Sequence, residues 1–213
     1  MHPMFRSLCI ASVLAAGIPC AQAQVAAITL TQPGDAFESA PYSLGFAFSV
    51  LQDLRLTALG VYDHGADGLE GTGAQVALWL DGQPQALRVA SVPGGTAATL
   101  DGLFRHAPVQ PLDLHPGAVY VVAAYLDGGM ATSFGVDQGG AAVVDARISL
   151  LADRYADGFF ELAYPGQSDA YTGAWLGANL LLAPVPEPAP AALLAAGLVA
   201  LAWRGRRAAR RSA

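Results

Sequence analysis

Between residues 24 and 183 the apolar residues alternate with their neighbours instead of recurring every three or four positions. Residues 45–50, GFAFSV, put Phe46, Phe48 and Val50 on one face of a strand. Residues 54–62 follow, where Leu56, Thr57, Val61 and Tyr62 favour a strand. Residues 75–81 carry Val76, Leu78 and Leu80 on one side and Trp79 on the other. Asp81-Gly82 then turns the chain into residues 85–92, a hairpin signal. A further strand spans 119–125 and stops at Asp127-Gly128-Gly129; 142–151 and 175–182 complete the set. No long window in this region has a helical apolar stripe. Short strands separated by Gly- and Pro-bearing turns predict an all-β domain: a single antiparallel β-sandwich, jelly-roll-like.

The N-terminus is of another kind. Arg6 precedes an apolar stretch over residues 8–18, and Ala21-Gln22-Ala23 follows Pro19. A basic start, a short apolar run and an A-x-A triplet make a secretory signal peptide over residues 1–23, cut after Ala23. Cys20 does not make a lipoprotein, since Pro19 stands where a small residue should precede the lipidated cysteine. Both cysteines, Cys9 and Cys20, fall inside this leader. The exported domain, residues 24–183, therefore has no disulfide, thiolate nucleophile or Cys-ligated zinc. It must be held by its core, for which its length suffices.

Charge is unevenly distributed. The chain has no lysine. Residues 24–183 hold five arginines (Arg55, Arg88, Arg105, Arg147, Arg154) against sixteen carboxylates, a net charge of about −11. Such a domain repels nucleic acid, so no nucleic-acid partner is expected. The C-terminus is the reverse: Arg204, Arg206, Arg207, Arg210 and Arg211 are its only charges after Trp203.

Residues 184–213 begin with prolines at 184, 186, 188 and 190, followed by an apolar run to Trp203. Residues 189–203 as a helix would be ~22 Å long, short of the ~30 Å hydrocarbon core. Snorkelling arginines and local thinning of the bilayer make up the difference. Trp203 sits where an interfacial aromatic belongs, and the arginines at 204–211 stay cytoplasmic. Each costs about 2.5–3.5 kcal/mol at the bilayer centre, which prevents the helix from being pulled through. The reading is a single, marginal transmembrane helix with the domain outside.

The order Val185-Pro186-Glu187-Pro188, apolar helix, arginine cluster resembles the PEP-CTERM sorting signal of Gram-negative, exopolysaccharide-forming bacteria. In that family a membrane-embedded transpeptidase, exosortase, recognises the Pro-Glu-Pro and removes the anchor. The resemblance implies that Pro186, Glu187 and Pro188 are the sorting motif, with Trp203 and the five tail arginines retaining the precursor. It implies a precursor anchored in the inner membrane with its domain in the periplasm, then a protein of the cell surface or extracellular matrix, in a biofilm setting. Exosortase is the implied partner and exopolysaccharide a candidate one.

The exported domain also resembles a β-sandwich module recurrent among PEP-CTERM proteins. The residues that carry this are the "YDxGxDGL" loop at 62–69, Trp79, Phe104-Arg105, and Leu114 with Gly117 and Tyr120. "GANLLL" at 177–182 is similar to the module's last strand, with Leu180 in place of the usual phenylalanine. The resemblance brings no catalytic activity with it.

The residues themselves nominate little chemistry. There is no G-x-S-x-G and no H-E-x-x-H, and His64, His106 and His115 are scattered. No catalytic set is assigned, and the protein is read as a non-enzyme. "YDHGADGLEG" gathers Asp63, Asp67 and Glu70, which could wrap Ca²⁺; equally, Asp and Gly residues there supply turn conformations. No other cofactor is expected. Tyr164, Tyr171 and Trp175 lie in an aromatic-rich stretch, and such rings serve either glycan contact or core packing. Two functions stay open: a structural matrix protein, or a carbohydrate-binding or carbohydrate-acting module.

Overall fold

The computed structural model describes residues 23–37, 41–126, 131–134, 140–169 and 174–185, with Gly197, Leu198 and Trp203. The first strands are β1 (Val25–Ala26), β2 (Ile28–Gln32), β3 (Ala36–Phe37), β4 (Tyr42–Val50) and β5 (Leu54–Tyr62). A 3₁₀ turn at His64–Ala66 leads to β6 (Leu69–Leu80), β7 (Arg88–Gly95), β8 (Thr99–Asp101), β9 (Phe104–Leu114) and β10 (Val119–Leu126). The last are β11 (Ala131–Phe134), β12 (Ala141–Val144), β13 (Ile148–Asp157), β14 (Ala174–Leu176) and β15 (Ala178–Pro184).

Two five-stranded antiparallel sheets make the sandwich. One runs β1-β15-β5-β9-β8 and the other β13-β4-β10-β6-β7; β14-β11-β3 and β12-β2 form smaller sheets. The alternation in the sequence is what builds the core. Phe46, Phe48, Val76, Leu78 and Val122 from one sheet meet Leu54, Leu56, Phe104, Leu114, Leu180 and Leu182 from the other. At about 1.5–3 kcal/mol per fully buried large apolar side chain, this face is the main source of stability. Ala77 and Trp79 point the other way and join Ala123 in a second cluster. The sheet is tightest at Gly45, where an added Cβ would lie 1.8 Å from the Val122 carbonyl oxygen.

The expected strands at 45–50, 54–62, 75–81 and 119–125 all lie inside observed strands or within a residue of them. Three others differ. Residues 142–151 form two strands, because Asp145 accepts hydrogen bonds from the Arg147 backbone N–H and guanidinium and closes a turn between them. Residues 175–182 are interrupted at Gly177 between β14 and β15. The hairpin strand after Asp81-Gly82 starts at Arg88, not at residue 85, since 81–87 form a longer loop.

β9 was not expected at all, and its prolines explain why. Pro108 and Pro111 lie beyond Phe104–His106, the only part of β9 that pairs with β8. At the prolines no strand among the described residues pairs with that edge of β9, so a missing N–H costs no ladder bond. Arg88 covers that edge, donating to the carbonyls of Gln110 (2.7 Å) and Pro111 (3.2 Å).

Among the described residues no helix is long and apolar enough to cross a membrane. Gly197, Leu198 and Trp203 are helical, and the rest of the expected span at 189–203 lies outside the described residues. So do residues 1–22 of the leader with Ala21, the sorting residues Pro186, Glu187 and Pro188, the tail arginines Arg204, Arg206, Arg207, Arg210 and Arg211, and Tyr171. Ala23 is exposed at the start of the described chain.

Candidate functional site

An open cleft of about 1070 Å³ lies where β5 hands over to β6. Its wall is the acidic loop and the Gly-rich start of β6; Ser91 to Pro93, Tyr125, Leu126 and the pair Phe160-Glu161 close it. The loop's shape comes from its glycines. Gly65 and Ala66 have φ of 75° and 59°, and Gly68 has φ of 125° with Gly95 so close that a Cβ would sit 2.9 Å from its carbonyl carbon. A side chain at 68 would be both strained and crowded.

One buried ion pair holds this loop. Asp63 and Arg105 are both almost fully buried, with Nε 2.6 Å from Oδ2. Asp63 also accepts from the Gly68 N–H through both oxygens, at 3.1 and 3.2 Å. The remaining guanidinium donors reach three backbone carbonyls: Ala66 (3.2 Å), Thr96 (3.2 Å) and Ala98 (3.0 Å). Arg105 thus ties β9 to the acidic loop and to the β7–β8 connection. Its planar fork and many donors suit it to this in a way lysine could not match. The "YDxGxDGL" and "FR" segments, far apart in sequence, meet here.

Of the three loop carboxylates, Asp63 is spent on this pair, while Asp67 and Glu70 are exposed and line the cleft. Among the described residues no three His, Cys, Asp or Glu side chains group as a metal site. Phe160, 88% exposed, and Glu161 stand on the opposite rim. The sequence had not singled them out for a site. They sit in an aromatic run, and no local pattern says which ring faces water.

Tyr164 and Trp175 lie elsewhere. The Tyr164 hydroxyl donates to Asp81 (2.7 Å) and accepts from the Gly82 N–H (2.7 Å), and its ring meets Trp79 edge-on. Burial, and the hydrogen bond to Asp81, raise its pKa. This straps the 158–169 segment over the outer face of the β4-bearing sheet, helped by Ser43 accepting from the Ala163 N–H and buried Asp153 accepting from Ser168 and Asp169. Trp175 packs with Phe37, rings 5.1 Å apart, over Leu44 and Leu126.

Asn179, in the segment similar to the module's last strand, is buried and bridges to β2. Its amide donates to the Ile28 carbonyl (2.6 Å) and its oxygen accepts from the Ile28 N–H (3.3 Å). A side chain here stands in for a neighbouring strand.

Residues 184–207 match the family model of the PEP-CTERM protein-sorting motif. A search of curated proteins finds no match to the chain.

Proposed function

We propose that this is a non-enzymatic, exported protein of the cell surface or extracellular matrix, sorted and processed by exosortase at Pro186-Glu187-Pro188 and associated with exopolysaccharide. The match over residues 184–207 is the observation that carries this reading. The leader pattern at 1–23 and the thiol-free β-sandwich agree with it. The prolines at 184, 186 and 188 disfavour helix ahead of residue 189, so the motif is kept apart from the apolar run for an enzyme to read just outside the bilayer. A second reading, a carbohydrate-binding domain, draws support from the cleft: an exposed aromatic ring beside Asp67, Glu70 and Glu161 offers both a stacking face and hydroxyl acceptors.

Two variants separate the roles of the tail in an exosortase-bearing host. Glu187→Ala should stay in the membrane fraction at full precursor length. Changing the five tail arginines to Gln should instead let precursor leave the membrane with its tail intact. If Glu187→Ala is cut as efficiently as wild type, the sorting reading is wrong.

A further inference from the structure

The register of the sheets gives the sandwich two ends of different character. β15 runs from Ala178, opposite Val61, to Pro184, opposite Leu54. In β1, Val25 lies opposite Leu182 and Ala26 opposite Leu181. The strands are antiparallel, so residues 23–24 ahead of β1 and residue 185 behind β15 leave the sheet at the same end, on neighbouring strands ~4.8 Å apart. The leader junction and the start of the sorting motif therefore meet in space. The turns at 51–53, 115–118 and 145–147 share this end, because Val50, Leu54, Leu114, Val119 and Ile148 all pair there. The cleft is at the other end, with Tyr62 and Leu126 at the far ends of β5 and β10. Nine residues of β5 separate the two by roughly 30 Å.

The charges are divided the same way. Arg55–Asp113 (2.6 Å), Arg147–Asp145 (2.8 Å) and His115–Asp53 (3.0 Å) lie at the end that carries both chain exits, while Arg88, opposite Leu78, and Arg154, opposite Gly45, start from the middle of their sheet, Arg154 reaching Asp81 at 3.6 Å. The cleft end carries Asp67, Glu70, Asp101 and Glu161, none ion-paired among the described residues, and its one arginine, Arg105, is buried against Asp63.

We propose that the anchored precursor stands on the bilayer on its arginine-bearing end, with the cleft facing outward about the length of the sandwich away. This rests on the anchoring assigned above to residues 189–203. Only residues 185–188 lie between β15 and that segment, and four residues span at most ~14 Å. The end holding Pro184 is thus kept against the lipid. An anionic phospholipid surface then decides the tilt: it repels the unpaired carboxylates of the cleft end and tolerates the paired, arginine-rich end. A consequence is that exosortase works within a few residues of a folded strand, while the cleft stays open to whatever lies outside the membrane.

The test uses the full chain in a Cys9→Ser, Cys20→Ser background, so that a thiol label goes only where it is placed. Leu51→Cys and Leu100→Cys replace exposed side chains, 61% and 40% accessible, at the two ends. Each variant carries a fluorophore and is reconstituted into phosphatidylethanolamine–phosphatidylglycerol vesicles bearing a headgroup nitroxide quencher. The label at 51 should be quenched several-fold more than the label at 100. Protein that floats with the vesicles but is quenched equally at both positions, or more at 100, overturns the orientation alone. Protein that does not float overturns the anchoring itself, and the orientation with it.

Discussion

His106 is the least comfortable residue in the fold. It is 3% exposed, and among the described residues neither ring nitrogen has a hydrogen-bond partner. It fits only because its cross-strand neighbour is Gly60, where a Cβ would lie 2.5 Å from the ring. Burial lowers its pKa to about 4, against the opposing pull of Asp101. The unfolded chain, titrating near 6.5, therefore takes up a proton that the folded protein refuses. The stability this confers is fully present above pH 6.5 and is lost as the pH falls toward 4, by about 3 kcal/mol. His106→Leu should flatten the pH dependence in that window, measured as the difference between urea midpoints of wild type and variant from pH 7 to 4. Parallel curves would mean that His106 is not buried neutral. Arg105 makes the opposite case, a buried charge with its donors well used. Arg105→Met leaves Asp63 buried and unpaired, and should cost about 3–5 kcal/mol. Adding Asp63→Asn should recover part of that, and a single variant as stable as wild type would remove the ion pair from this account. The sequence shows Asp63 and Arg105 in two separate motifs; that they pair is a property of the β5–β9 register, which no local pattern encodes.

At the scale of the strand, alternation was legible in residues 45–50 and 75–81, which fall in β4 and β6 to within a residue. β5 was legible from its β-branched and aromatic residues, and β4, β5 and β10 bury residues of both faces along much of their length. Alternation failed where a side chain does the work of a strand or a turn. Asp145 splits one apolar run in two, and Arg88 completes the proline-bearing edge of β9 that reads as loop. The acidic stretch at 63–70 was legible as a loop, but the cleft it lines was not, because Phe160 and Glu161 reach it from another part of the chain. The close approach at Gly45 gives a test of the central sheet. Gly45→Ala pushes a methyl group into the Val122 carbonyl and should cost about 3 kcal/mol or more, lowering Tm by roughly 6–12 °C. Gly82→Ala, at a turn with φ of 76° and open space around it, should cost about 1 kcal/mol. A thermal melt in which Gly82→Ala is the worse of the two would contradict the packing described here.

For the whole molecule, the sorting motif was readable because its prolines, apolar run and arginines are all local in sequence, and residues 184–207 match that motif. The domain ahead of it declares its fold through its alternation and leaves its ligand to geometry. Residues 24–183 hold no cysteine, so the domain rests on its core alone, and its melting temperature should be the same with and without a reductant. A reductant-dependent midpoint would require a cross-link from outside residues 24–183. Cleavage of a sorting signal at residues 184–207 is what we propose for this chain. The most direct measurement is the intact mass of the protein recovered outside an exosortase-bearing cell. The expected species begins at Gln24 and lacks the segment from Arg204 to Arg211. Released protein whose mass still includes Arg211 would contradict the proposal.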